Sequence, residues 1–194
     1  MMTSTGFFEN GKRLFVEGKL KESIEEFTKA IDAGEKSEIA FLSRGVAHLK
    51  NHETDQAIND FSEAVKMNDN NFRAHYYRGI SYLTKENYED AIADFDKTIE
   101  LTPENVAAYF ARGTAYAHMG DEKEATKSIK TAIMSSETNI MELSESIGLW
   151  RTQFDKTISI MSGEKKPIEM TLTEGEIKTL KNWAEEGYRK ATLH

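Results

Sequence analysis

Two histidines four residues apart, His48 and His52, come nearest to a metal site in this 194-residue chain, because imidazoles at that spacing share a helix face. No third or fourth ligand stands near them in sequence. His48 falls at a packing slot and His52 in a turn, so both read as structural, as does His75 in a further slot. His118 lies near the end of a helix facing a groove, and no Ser or carboxylate pairs with it at a triad's spacing. The chain has no cysteine, which excludes disulfides, thiolate zinc sites, iron–sulfur clusters and cysteine nucleophiles. GxxxxGK[ST], GxGxxG and GxSxG are also missing. The many carboxylates, such as Glu25, Glu26, Asp60, Asp94 and Asp96, read as a solvated outer face. The sequence therefore predicts a non-enzymatic protein with no catalytic residues, no metal and no cofactor.

Charge and hydropathy narrow the partners. A formal net charge of −8 with no basic tail opposes nucleic-acid binding, which needs a cationic footprint. The longest unbroken apolar run is Val106 to Ala111, against the roughly 20 residues that a membrane span requires. Glu9, Lys12 and Arg13 follow the first two phenylalanines closely, so no signal-peptide core can be drawn. A cytoplasmic protein with protein or peptide partners, and no membrane partner, is expected.

The elements that must position any site are set by a repeat. Gly11, Gly45, Gly79 and Gly113 recur every 34 residues, within NGKRL, RGVAH, RGISY and RGTAY. A second cluster follows each on the same schedule: SIEEFTKAI, AINDFSEAV, AIADFDKTI and ATKSIKTAI. Apolar and small residues at helical spacing fall in two bursts parted by short breaks such as Glu17-Gly18-Lys19, so each unit reads as a helix, a tight turn and an antiparallel helix. With units numbered from Ser4, Glu38, Phe72 and Val106, position 4 holds Phe7, Phe41, His75 and Tyr109, and position 11 holds Leu14, His48, Tyr82 and Tyr116. Position 8 is always Gly. Position 20 holds Ser23, Ala57, Ala91 and Ala125; position 24 holds Phe27, Phe61, Phe95 and Ile129; position 27 holds Ala30, Ala64, Thr98 and Ala132. Small residues let helices approach, and large ones fill the gaps.

This pattern resembles the tetratricopeptide repeat family. The resemblance implies an all-α, right-handed α-solenoid over residues 4–139, in four units (4–37, 38–71, 72–105 and 106–139). It also implies that positions 2, 5, 9 and 12 of each first helix line a concave, mostly apolar groove. The partner-binding residues implied are Phe8, Lys12, Phe15, Leu42, Val46, Leu49, Arg73, Tyr76, Tyr77, Ile80, Leu83, Phe110 and Thr114. In the family's chaperone adaptors a carboxylate clamp uses Lys and Asn at positions 5 and 9, Asn at 6 of the next unit, and Lys and Arg at 2 and 6 of the third. Here those places hold Phe8, Lys12, Ser43, Arg73 and Tyr77, and only Arg73 fits. An adaptor or scaffold that binds a peptide or helix is implied, without a chaperone-tail clamp.

Beyond 139 the phase is lost, although helical periodicity persists. Ile140, Leu143, Ile147, Trp150, Phe154, Ile158 and Met161 predict a helix over about 140–161, and a Thr173-x-x-Glu176 capping box opens another over about 173–192. Trp150, Phe154, Ile158, Leu180, Trp183 and Tyr188 are its expected docking residues. The rival to the adaptor reading is a structural or self-assembling protein, with the groove filled by its own C-terminal helix or by a second copy. A homodimer through the C-terminal helices is the matching arrangement.

Overall fold

A computed structural model describes residues 3–135. Among them are eight helices and no strand, in two compact units divided after Pro103. The first unit holds α1 (Ser4–Val16), α2 (Leu20–Asp32), α3 (Glu38–Lys50), α4 (Thr54–Met67), α5 (Phe72–Thr84) and α6 (Tyr88–Leu101). Each odd-numbered helix packs on the even one that follows, and α2 and α4 pack on α3 and α5. The second unit holds α7 (Val106–Met119) packed on α8 (Glu122–Ser135). The expected C-terminal helices, with Trp150, Phe154, Ile158, Leu180, Trp183 and Tyr188, lie outside the described residues.

Helix starts recur with the sequence period. Thr3, Ser37, Asn71 and Asn105 each accept a backbone N–H of the first turn with a side-chain oxygen, at 3.0–3.2 Å. These caps satisfy donors that have no partner within the helix. Hairpin turns recur as well. The residue just past each first helix is left-handed: Gly18 at φ 75°, His52 at 62°, Glu86 at 60° and Gly120 at 80°. The next amide closes back on the helix at 2.9–3.0 Å, as in Lys19 N to Leu14 O and Asp121 N to Tyr116 O. This is the Schellman arrangement, which favours glycine because a Cβ is strained at positive φ.

The glycine at position 8 has a different duty. A Cβ built on Gly45 would stand 2.7 Å from the Phe61 ring, and one on Gly113 would stand 2.5 Å from Ile129. The glycine thus admits the large residue of the partner helix against bare backbone. Phe27, Phe61 and Phe95 are buried by this contact at 2% exposure or less, each contributing roughly 2–3 kcal/mol relative to an exposed ring.

The outer-face reading of the carboxylates fails for three of them. Glu26, Asp60 and Asp94 are buried, whereas Glu25 and Asp96 are exposed. The cause is the residue at position 7 of the facing helix. Arg44 donates to both carboxylate oxygens of Asp60 at 2.7 and 2.8 Å, and Arg78 donates to both of Asp94 at 2.8 Å. In the first hairpin Asn10 donates to Glu26 at 2.8 Å, and in the fourth Arg112 donates to Ser128 at 3.2 Å. Arg44 also reaches back to Thr28 on α2 at 3.2 Å, which ties consecutive hairpins together. Pairing with Asp60 and Asp94 raises the Arg44 and Arg78 pKa values further, so the bridges hold their charge.

Candidate protein-binding face

The expected groove positions recur along the first helices. In α1, Phe8, Lys12 and Phe15 stand at i, i+4 and i+7 and share a face. Phe8 is half-buried with its ring 5.5 Å from that of Phe27, and the Lys12 ammonium lies 5.4 Å from the Phe8 ring centre. Lys12 also pairs with Glu9 at 2.7 Å. Phe15 is half-buried beneath Lys50, whose Nζ stands 4.6 Å from the ring centre.

In α3, Leu42 and Val46 are half-buried, whereas Leu49 is buried. In α5, Tyr76 keeps part of its surface open, while Ile80 and Leu83 are each 1% exposed. The Tyr76 ring meets Tyr77 at 5.5 Å and Phe95 at 6.1 Å, and desolvation, with Tyr77 beside it, pushes its phenol above the ordinary tyrosine range. Tyr77 stacks on Phe61 at 5.8 Å, so much of that ring serves the joint between consecutive hairpins. Arg73 is exposed, with its guanidinium 5.4 Å from the Phe72 ring centre. In the second unit Phe110 and Thr114 are buried, and Thr114 donates its hydroxyl to the Phe110 carbonyl at 3.1 Å.

Of the expected partner-binding residues in the first unit, Phe8, Lys12, Phe15, Leu42, Val46, Arg73, Tyr76 and Tyr77 keep accessible surface. Leu49, Ile80 and Leu83 are buried. No group of three or more His, Cys, Asp or Glu that could hold a metal stands among the described residues. His48 meets Glu53 at 2.6 Å, with Asp60 3.8 Å beyond, and His52 occupies the left-handed turn. The hydrogen bond from His48 is the main reason that the Glu53 carboxyl titrates below its usual range. His75 is buried between Asp94 at 2.9 Å and the Asp69 carbonyl at 3.0 Å. No described helix is long and apolar enough to cross a membrane.

A tetratricopeptide repeat family model matches residues 42–104 and, in an overlapping register, 78–133. The chain belongs to the tetratricopeptide repeat family. Solved structures agree with that assignment. MamA is 27% identical over 70% of this chain and 80% of its own, with a TM-score of 0.68. YrrB, described as a TPR protein with an unusual peptide-binding site, is 22% identical over 75% of this chain and 74% of its own, with a TM-score of 0.67. The first TPR of Spaghetti (RPAP3), bound to the HSP90 peptide SRMEEVD, is 24% identical over 61% of this chain and 96% of its own, at a TM-score of 0.58. At those identities the last two attest the helical-repeat fold alone. No curated protein matches the chain.

Sequence reasoning missed the Arg44–Asp60 and Arg78–Asp94 bridges that hold the tetratricopeptide hairpins in place. Their signal is legible in hindsight: Arg precedes Gly in units two to four, and an Asp follows sixteen residues later in two of them.

Proposed function

We propose that this tetratricopeptide repeat protein is a non-enzymatic interaction module that binds a protein segment along the stripe of its first helices. The carrying observation is the row at position 5. Phe8, Leu42 and Tyr76 each stay partly exposed at the same place in three successive hairpins, and Phe8 and Tyr76 pack on the buried Phe27 and Phe95 rings. A repeated row of accessible apolar side chains on a rigid helical backing suits an amphipathic helix or an extended peptide. Phe110, at the same position of α7, is buried, so it supports the fold of its own unit rather than anchoring the ligand. YrrB and the RPAP3 domain are precedents for peptide recognition on this fold.

The test removes two anchors from the accessible row. The double variant Leu42→Ala/Tyr76→Ala should remain helical and lose the partners that the unaltered chain retains from native lysate. A buried anchor is worth about 2 kcal/mol, or roughly thirtyfold in affinity. Undiminished retention of the same partners by the folded double variant overturns the proposal.

A further inference from the structure

We infer that the α1 end of this face docks an acidic internal segment of a partner protein, with Lys12 and Lys50 meeting its carboxylates and Phe8, Phe15 and Val16 meeting its apolar side chains. The inference rests on the binding face proposed above and adds the chemistry of the ligand.

Four observations converge on it. Phe8, Lys12, Phe15 and Val16 fall at i, i+4, i+7 and i+8 of a single helix and therefore form one strip. Val16 is 86% exposed, the most open large hydrophobic among the described residues. The strip continues across hairpins, because Lys50 at the end of α3 places its ammonium over the Phe15 ring. Finally, the charge is available to a ligand. Lys21, Lys36, Lys50 and Lys123 have no carboxylate in ion-pairing range among the described residues, and of these Lys50 is the one whose ammonium stands over a ring. Lys12 has only Glu9, in a pair exposed on both sides that a ligand carboxylate can exchange into.

An ammonium held over a ring and beside bare apolar surface complements a segment in which acidic and apolar residues alternate. A phosphate backbone is a poorer match. It needs a longer cationic track. This strip also differs from a terminal-carboxylate clamp, because it presents rings as well as charge and is open along its length.

The probe is a fluorescein-labelled, C-terminally amidated peptide alternating Glu with Leu and Phe, titrated against the full chain by fluorescence anisotropy. Its counterpart has Gln in place of every Glu. The Glu peptide should bind at low salt and weaken steeply as salt rises. Replacing Glu by Gln should weaken it about tenfold or more, as should Lys12→Glu/Lys50→Glu, with Lys12→Gln/Lys50→Gln intermediate. Both lysines are exposed, so the variants should keep their helicity.

Equal binding of the two peptides, or undiminished binding by both lysine variants, overturns the inference. If Leu42→Ala/Tyr76→Ala weakens the Glu peptide while the lysine variants do not, the binding face stands and its acidic preference falls. No binding of either peptide to the unaltered chain also overturns the inference, and the lysate experiment then decides the wider proposal separately.

Discussion

The first and fourth hairpins solve their two recurring problems differently from the second and third. Where the helices of a hairpin face each other, the second and third carry a doubly bonded Arg–Asp bridge, while the first has Asn10 on Glu26 and the fourth has Arg112 on Ser128. At the turn the order reverses. The first and fourth place glycine at the left-handed residue, and the second and third place His52 and Glu86 there. The second and third hairpins thus combine a doubly bonded Arg–Asp bridge with a side chain at positive φ, and the first and fourth combine other bonds at that slot with a glycine turn. Two slots on the same period vary together, so sequence likeness at a single slot is a poor guide to the stability of a single unit.

The comparison breaks most sharply at Asp94. Its carboxylate is buried and holds Arg78 through two bonds and His75 through a third. Asp94→Ala strands two cationic or polar partners at once. Breaking a buried pair from one side costs about 3–5 kcal/mol, and the partial exposure of Arg78 brings the expected loss to about 2–4 kcal/mol. Ser128→Ala in the fourth hairpin removes a single neutral-acceptor bond and should cost about 0.5–1.5 kcal/mol. Urea unfolding of both variants measures the gap. Equal losses would mean that the bonds to Asp94 add nothing over the bond to Ser128.

The architecture was legible in the sequence because it is written in spacing. A 34-residue period in glycine, with large and small residues at fixed offsets, imposes paired helices whatever the identity of the remaining residues. The burial of Asp60 and Asp94 was not legible from helical periodicity, which places a residue on a face of its own helix but does not say which side chain of the opposite helix meets it. At the face itself the same limit applies. Position 5 is accessible at Phe8, Leu42 and Tyr76 and buried at Phe110, and position 9 is accessible at Val46 and buried at Ile80. A slot in a repeat fixes direction, and the neighbours fix exposure.

A smaller effect sharpens the turn half of the comparison. His52→Gly and Glu86→Gly relieve a side chain held at positive φ, and each should stabilise the protein by about 0.5–1 kcal/mol after the added freedom of glycine in the unfolded chain is subtracted. The converse changes, Gly18→Ala and Gly120→Ala, should cost about 1 kcal/mol. A Cβ at either glycine meets nothing within 4 Å, so the cost is conformational and free of steric clash. Thermal melts of the four single variants give the four signs. If His52→Gly destabilises, the His52 side chain holds the turn in a way that offsets its strain.

The least effect at neutral pH is expected at Tyr76, which separates the two sides of α5. On one side His75 and Arg78 are held by hydrogen bonds to Asp94, and on the other the Tyr76 ring is held by Tyr77 and Phe95. If ring contact is what places it, Tyr76→Phe should change stability at neutral pH by less than about 0.5 kcal/mol. Alkaline pH tells a different story. Burial keeps the phenol neutral and raises its folded pKa above the value of an unfolded tyrosine, about 10. A group raised in this way contributes stability that is fully present below the unfolded pKa and is lost as pH climbs through the folded one. The unaltered protein should therefore lose stability above about pH 10, and Tyr76→Phe should lose less over the same range. Tyr82, also raised by desolvation, remains in both proteins and supplies the background. Unfolding followed across that range, with phenolate absorbance recorded alongside, reads the difference, and identical alkaline limbs for the two proteins would place Tyr76 in water and remove it from the packed side of α5.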